Sequence, residues 1–107
     1  MVELSIALDL IFGALADATR RDILKRVSRG KHTISELAEP YAISLAAVAK
    51  HVSVLEKAGL VTKCRSGKEK VIHIEPKTIK LAAAYLSEYE KVWGARFDAL
   101  EKLLEEN

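Results

Sequence analysis

Apolar positions recur along this chain with two periods, three-to-four residues over most of its length and two residues in one stretch after Gly59. Near the start, LSIALDLIFGAL sets Leu4, Leu8, Ile11, Phe12 and Leu15 on one side of a short helix, with Gly13 expected to break it. Asp17 is placed to cap a second helix, ATRRDILKRVS, in which Ile23, Leu24 and Val27 turn inward before Gly30 ends it, while Arg20, Arg21, Lys25, Arg26 and Arg29 decorate its remaining surface. A third helix is short: Thr33 or Ser35 caps SELAE, Leu37 and Ala38 point inward, and Pro40 stops it because a proline ring cannot continue the hydrogen-bond ladder. After the link YAI, Ser44 caps a fourth helix that runs to about Ala58, and Gly59 supplies a left-handed exit. Two short helices joined by a tight link, the second opening at a Ser cap, outline a helix-turn-helix.

Beyond Gly59 the period shortens. LVTKCRSGKEKVIHI divides at Ser66-Gly67 into two runs rich in Val, Thr and Ile, the mark of a β-hairpin, and its tip carries Arg65, Lys68 and Lys70. Pro76 then opens a long helical pattern with Ile79, Ala82, Ala83, Leu86, Tyr89, Trp93, Phe97, Leu100 and Leu104 at spacings of three and four. At about 1.5 Å per residue such a helix spans roughly 45 Å, more than a domain this small needs for its own core, which points to a partner. With no linker or repeat, the expected organisation is one mainly α domain over 1–107 with a β-hairpin wing: outer helices over 1–15 and 76–106, helix-turn-helix over 33–58 and wing over 60–75.

Net charge is only +2, but its distribution is uneven. Residues 19–73 hold twelve Lys and Arg against five Asp and Glu, between an acidic start and a slightly acidic end, as on a nucleic-acid face carried by a scaffold. On the fourth helix the arc opposite Val48, Val52, Leu55 and Leu45 holds Ala46, Lys50, Ser53 and Lys57, flanked by Ala47, Ala49 and Val54, with no carboxylate. Small side chains without acids suit a helix that enters a major groove about 12 Å wide lined by phosphates. Alanine's helix propensity alone explains such a face equally well, so it is the combination with the helix-turn-helix spacing, the basic hairpin directly after it and the positive balance of the whole region that favours DNA.

Together, LADATRRDIL (15–24), TISELAEPYAISLAAVAKHVSVLEKAGLV (33–61) and the hairpin to Pro76 closely resemble the ArsR-type winged-helix repressors of bacteria and archaea, and the tail SEYEKVWGARFDALEKLL is similar to their branch without metal ligands. The resemblance implies a homodimer joined by the first and last helices, with Leu4, Leu8, Ile11, Leu86, Tyr89, Trp93, Phe97 and Leu100 at its interface. It implies double-stranded DNA as partner: Ser44 caps the recognition helix and reaches a phosphate, Ala46, Ala47 and Ser53 face the groove, Lys50 and His51 contact backbone or base edges, and Arg65, Lys68 and Lys70 bind phosphates, which position but read no sequence. Arg20 either adds a backbone contact or makes a structural ion pair. The family often carries Pro at 46, Ser at 49 and Pro at 18, where this chain has Ala46, Ala49 and Ala18; the missing hydroxyl at 49 thins direct base readout.

No sensory ligand is evident, and the effector is left unassigned. His32, His51 and His73 fall on different elements without the spacing that lets two imidazoles share a zinc, so neither a metal nor a cofactor is expected. His32 is expected in the loop before the third helix. The lone Cys64 is expected half-buried and passive, with Lys63 and Arg65 on the other face of the strand, and it suits a reducing compartment. Neither a leader pattern nor an apolar run of about eighteen residues occurs, so a cytoplasmic protein without membrane contact is expected. An enzyme is disfavoured, since no phosphate loop or recognisable nucleophile arrangement is present. Two readings stay open: a dimeric, sequence-specific repressor of an inverted-repeat operator, or a winged-helix module whose apolar last helix binds another protein.

Overall fold

The computed structural model describes residues 2–106, Val2 by its backbone alone, so the ends of the expected domain at 1 and 107 lie outside the described residues. Its elements run α1 (Val2–Leu15), α2 (Ala18–Arg29), β1 (His32–Thr33), α3 (Ile34–Ala38), α4 (Leu45–Lys57), β2 (Val61–Ser66), β3 (Glu69–Ile74) and α5 (Pro76–Glu106). The strands form one antiparallel sheet in the order β1-β3-β2.

Local chemistry sets most of these boundaries. Asp17 accepts from the backbone N–H of Arg20 at the start of α2, and Ser44 accepts from that of Ala47 at the start of α4. Thr33 caps α3 in a reciprocal box, its hydroxyl accepting from the Glu36 N–H while the Glu36 carboxylate accepts from its own. Helix α4 ends in a Schellman arrangement, with Leu60 N–H on the Leu55 carbonyl at 3.0 Å and Gly59 N–H on the Glu56 carbonyl at 2.9 Å. Gly59 sits at φ 76, where a side chain is strained, and an added Cβ would come within 3.2 Å of the Thr78 hydroxyl oxygen. In the hairpin, Ser66 pairs with Glu69, leaving a two-residue loop in which Gly67 takes φ 65.

The core lies where these elements converge: Ile11 and Ala14 from α1, Ile23 and Val27 from α2, Leu37 from α3, Val48, Val52, Leu55 and Ala58 from α4, Leu60, Val61 and Ile72 at the base of the wing, and Ala82 from α5. Leu24, expected inward, is partly buried against this cluster. The molecule measures 60 × 34 × 21 Å, with a radius of gyration of 17.6 Å against about 13 Å for a compact chain of this length. The excess comes from α5, whose 31 residues bury only Ala82 among those described.

Several expectations change. Helix α1 runs through Gly13 without a break, since one glycine raises a helix's free energy too little to end it. Gly30 does end α2, but in an extended conformation at φ 166. His32 lies in a strand rather than a loop, paired with Ile72. Ile11, expected at a dimer interface, is fully enclosed in the chain's own core, and Leu8 is nearly so, because α1 packs across α2 and α4. Leu45, expected inward, is 55% exposed.

Candidate nucleic-acid interface

Helix α4 presents a face of low relief. Val48, Val52 and Leu55 are fully buried and fix its roll, which leaves Ala46, Lys50, Val54 and Lys57 exposed and Ala47 and Ser53 partly so. Glu56, the helix's one acid, is turned aside and pairs with Lys63 of β2, Oε1 to Nζ at 3.5 Å. Beside this face a shallow cavity of about 420 Å³ is lined by Arg20, Ala47, Lys50, His51, Ser53, Val54 and Lys57. Its charged lining is entirely cationic, counting His51 only if protonated.

Arginines that seemed surface decoration have assigned work. Arg20 donates from Nε to the Ala14 carbonyl at 2.7 Å and from Nη2 to that of Gly13 at 3.2 Å, and Arg21 donates to the Leu15 carbonyl at 2.8 Å. Those are carbonyls of the last turn of α1, at the negative end of its dipole, and that of Gly13 also accepts from the Ala16 N–H at 3.2 Å. Arg26 serves α3 in the same way, holding the Leu37 and Glu36 carbonyls at 2.8 and 3.0 Å, with its guanidinium 5.6 Å from the Tyr41 ring centroid. Tyr41 in turn donates to the Asp22 carboxylate, and burial, with that bond second, pushes the phenol above its usual range. Of the two roles open to Arg20, the structural one takes the form of hydrogen bonds to α1 carbonyls rather than an ion pair, while the side chain also lines the cavity beside α4.

His51 joins the same junction. Its Nδ1 lies 3.4 Å from Arg20 Nη1 and 3.8 Å from Asp17 Oδ2, so the inner edge of α4 is tied to the α1–α2 corner. When Nδ1 accepts from Arg20, the neutral ring carries its proton on Nε2. The Arg20 N–H holds the Asp17 carboxyl below its ordinary value of 3.8, opposed by desolvation and aided by the charges of Arg20 and His51.

The wing supplies exposed charge. Arg65 and Lys70 stand directly opposite each other across β2 and β3, so two like charges share one face near the tip, a pairing that costs stability unless an anion lies between them. Lys68, in the two-residue loop, is also exposed. Cys64 is exposed rather than half-buried: it lies on β2, an outer strand of the sheet, while its partner Val71 on the central strand is buried.

A separate surface is apolar. On α5, Leu86, Tyr89, Trp93, Phe97 and Leu100 are 54%, 51%, 37%, 62% and 55% exposed, and on α1 Leu4 is 44% exposed. Phe12 and Tyr85 bring the two helices together, ring centroids 6.0 Å apart, and Tyr85 donates to the Tyr89 hydroxyl at 3.2 Å. A second cavity, about 530 Å³, lies between α2 and the first turns of α5, walled by Leu15, Leu24, Ile74, Pro76 and Ile79. Among the described residues no group of three His, Cys, Asp or Glu side chains comes together to hold a metal ion, and no helix is long and apolar enough to cross a membrane.

Two helices at a tight link, a flanking hairpin and a supporting helical scaffold define a winged helix-turn-helix domain. A helix-turn-helix domain family matches residues 15–64. The chain is 46% identical over 79 residues to the uncharacterized HTH-type transcriptional regulator YuzN of Bacillus subtilis (strain 168), covering 67% of this chain and 86% of that protein. It superposes on the crystal structure of an ArsR family transcriptional regulator, RHA00566, with a TM-score of 0.78 at 38% identity, covering 84% of this chain and 93% of that one. The fold is also that of the homodimeric winged helix-turn-helix DNA-binding domain Mb0332 of Mycobacterium bovis, at a TM-score of 0.67, 21% identity and coverage of 87% and 88%. The chain belongs to the ArsR family of HTH-type transcriptional regulators.

Proposed function

We propose that this regulator is a cytoplasmic homodimer that represses transcription by binding an inverted-repeat operator in double-stranded DNA. The observation that carries the reading is the division of its surface: an acid-free face on α4 beside a cationic wing, and, on a different part of the molecule, an apolar stripe along α5 that its own chain does not cover. In this reading α4 enters the major groove with Ala46, Ala47 and Ser53 close to the base pairs and Lys50 on a backbone phosphate or base edge. Ser44 keeps its O–H for a phosphate at the helix N-terminus. Arg65, Lys68 and Lys70 hold phosphates beside the groove, which gives the like-charge pair at positions 65 and 70 its counter-charge. His51 supports α4 through Arg20 rather than reading bases.

Dimerisation joins Leu86, Tyr89, Trp93, Phe97 and Leu100 of α5 to their copies, with Leu4 of α1 at the margin, and the homodimeric state of Mb0332 supports the arrangement. A two-fold protein then requires half-sites about one helical turn apart, or a multiple of it. Selection of sites from random duplexes, followed by titration of the best against a scrambled duplex, tests the reading. An inverted repeat bound far more tightly than the scrambled duplex by a sedimenting dimer is the expected result. A monomer at micromolar concentration without site preference would overturn it.

A further inference from the structure

Leu45 belongs to neither the core nor the dimer surface. It is the first residue of α4, and residues 42 to 46 are all exposed, so the helix opens with a small apolar tip of Ala42, Ile43, Leu45 and Ala46, where Ile43 is 41% and Leu45 55% exposed. The tip's polar side chain, Ser44, already accepts from the Ala47 N–H at 3.1 Å, which leaves its O–H free to donate to a phosphate at the helix N-terminus. From residue 42 to residue 49 no other side chain can donate or accept a hydrogen bond. A recognition helix reads bases with its N-terminal residues, and this one has only apolar groups there. In the major groove one base-edge feature answers to apolar contact, the C5-methyl of thymine.

We infer that Leu45 is a specificity-determining residue that packs on a thymine methyl in each operator half-site, so that this regulator selects T at that position by burial rather than by hydrogen bonding. The inference rests on the proposed DNA-binding function and adds the chemistry of its readout. A lone exposed leucine is ordinary on protein surfaces. Here it is the more exposed of the two large side chains, Ile43 and Leu45, of a tip that lacks any other means of reading a base.

Uracil lacks only the C5-methyl, so each thymine of the selected operator is replaced in turn by uracil and binding is measured with the wild-type dimer, Leu45→Ala and Leu45→Gln. Burial of one methyl corresponds to about fourfold in affinity, so one thymine position should weaken wild-type binding about fourfold in one half-site and about fifteenfold in both. Leu45→Ala should bind more weakly and lose the distinction between thymine and uracil there. Leu45→Gln, which can grip adenine through N6 and N7, should shift the selected base from T towards A. Because Leu45 is exposed, both variants should melt with the wild type.

An operator that is bound well, with no uracil-sensitive position, overturns the inference and leaves the proposed function standing. Uracil sensitivity that persists undiminished in Leu45→Ala overturns it in the same way. Failure to select any operator overturns both.

Discussion

Replacing Lys68 and Lys70 together by alanine tests where the affinity of this regulator comes from. Both side chains are exposed, and neither takes part in an ion pair shorter than 4.0 Å among the described residues. In a dimer the double variant removes four cations from the two wings. Each neutralised phosphate contributes about 0.9 to the slope of log affinity against log salt, so the slope should become less negative by about 3.6. Between about 50 and 200 mM salt the wild type should then lose roughly 150-fold more affinity than the variant does. Fluorescence anisotropy with a labelled operator, titrated at four salt concentrations, reads this directly. Preference for the operator over a scrambled duplex should survive, because phosphate contacts position the protein and carry no sequence information. Stability should be unchanged or slightly higher, since loss of Lys70 relieves its apposition to Arg65. A slope altered by less than about 1, or a lost operator preference, would refute the assignment of the wing to the backbone.

Further outcomes follow from the scaffold. Arg26→Met should destabilise the fold by about 2 kcal/mol in urea denaturation, because it leaves the Glu36 and Leu37 carbonyls without their charged donor; an unchanged midpoint would count against the clamp. Gly59→Ala should cost about 1 to 2 kcal/mol by the same measurement, from the left-handed conformation alone. Trp93→Ala with Phe97→Ala should shift sedimentation towards monomer and weaken operator binding while leaving the far-ultraviolet dichroism nearly unchanged, since both side chains lie outside the chain's own core. On acidification, Asp17 and Glu36 should both lose stabilising charge. The Arg20 N–H lowers the first carboxyl and the Thr33 N–H the second, so their contribution is complete above the ordinary values of 3.8 and 4.5 and disappears as pH falls through the depressed ones. Asp17→Asn with Glu36→Gln keeps the caps and should flatten the acid limb of a pH-stability curve; an acid limb as steep as the wild type's would refute that origin.

What the sequence made legible was local chemistry. Asp17 and Ser44 as caps, Thr33 as one of two candidate caps, the left-handed exit at Gly59, the stop before Pro40 and the turn at Ser66-Gly67 each depend on residues within a few positions of one another. The readings that failed needed information from farther away. A two-residue strand such as His32–Thr33 has no period to detect and exists because β3 offers it an edge. Periodicity put Leu45 on the inner arc by assuming that the core follows α4 along its whole length, whereas the first turn projects beyond it. Exposure of Cys64 turned on the place of β2 as an outer strand of the sheet, and alternation alone does not give the strand order. The arginine clamps join a side chain to carbonyls six to eleven residues away, and nothing in the spacing of charges distinguishes such a residue from one that faces solvent.

That last distinction changes what the basic middle of the chain means. Of its twelve Lys and Arg, Arg20, Arg21 and Arg26 close the ends of α1 and α3, and Lys63 is paired with Glu56. The surplus that suggested nucleic acid is therefore partly the means by which the helix-turn-helix is held in register on its scaffold. Beside the exposed Lys25, Arg29 and Lys31, the remaining charge lies on the wing and at Lys50 and Lys57 of α4, and the N-terminal tip of α4 is apolar. In the proposed mode of binding, affinity and sequence preference fall on different groups: cations on the wing, whose contribution fades with salt, and small or apolar side chains at the helix tip, whose contribution does not. A regulator built this way should retain its ranking of operators as salt rises even while its affinity for all of them declines.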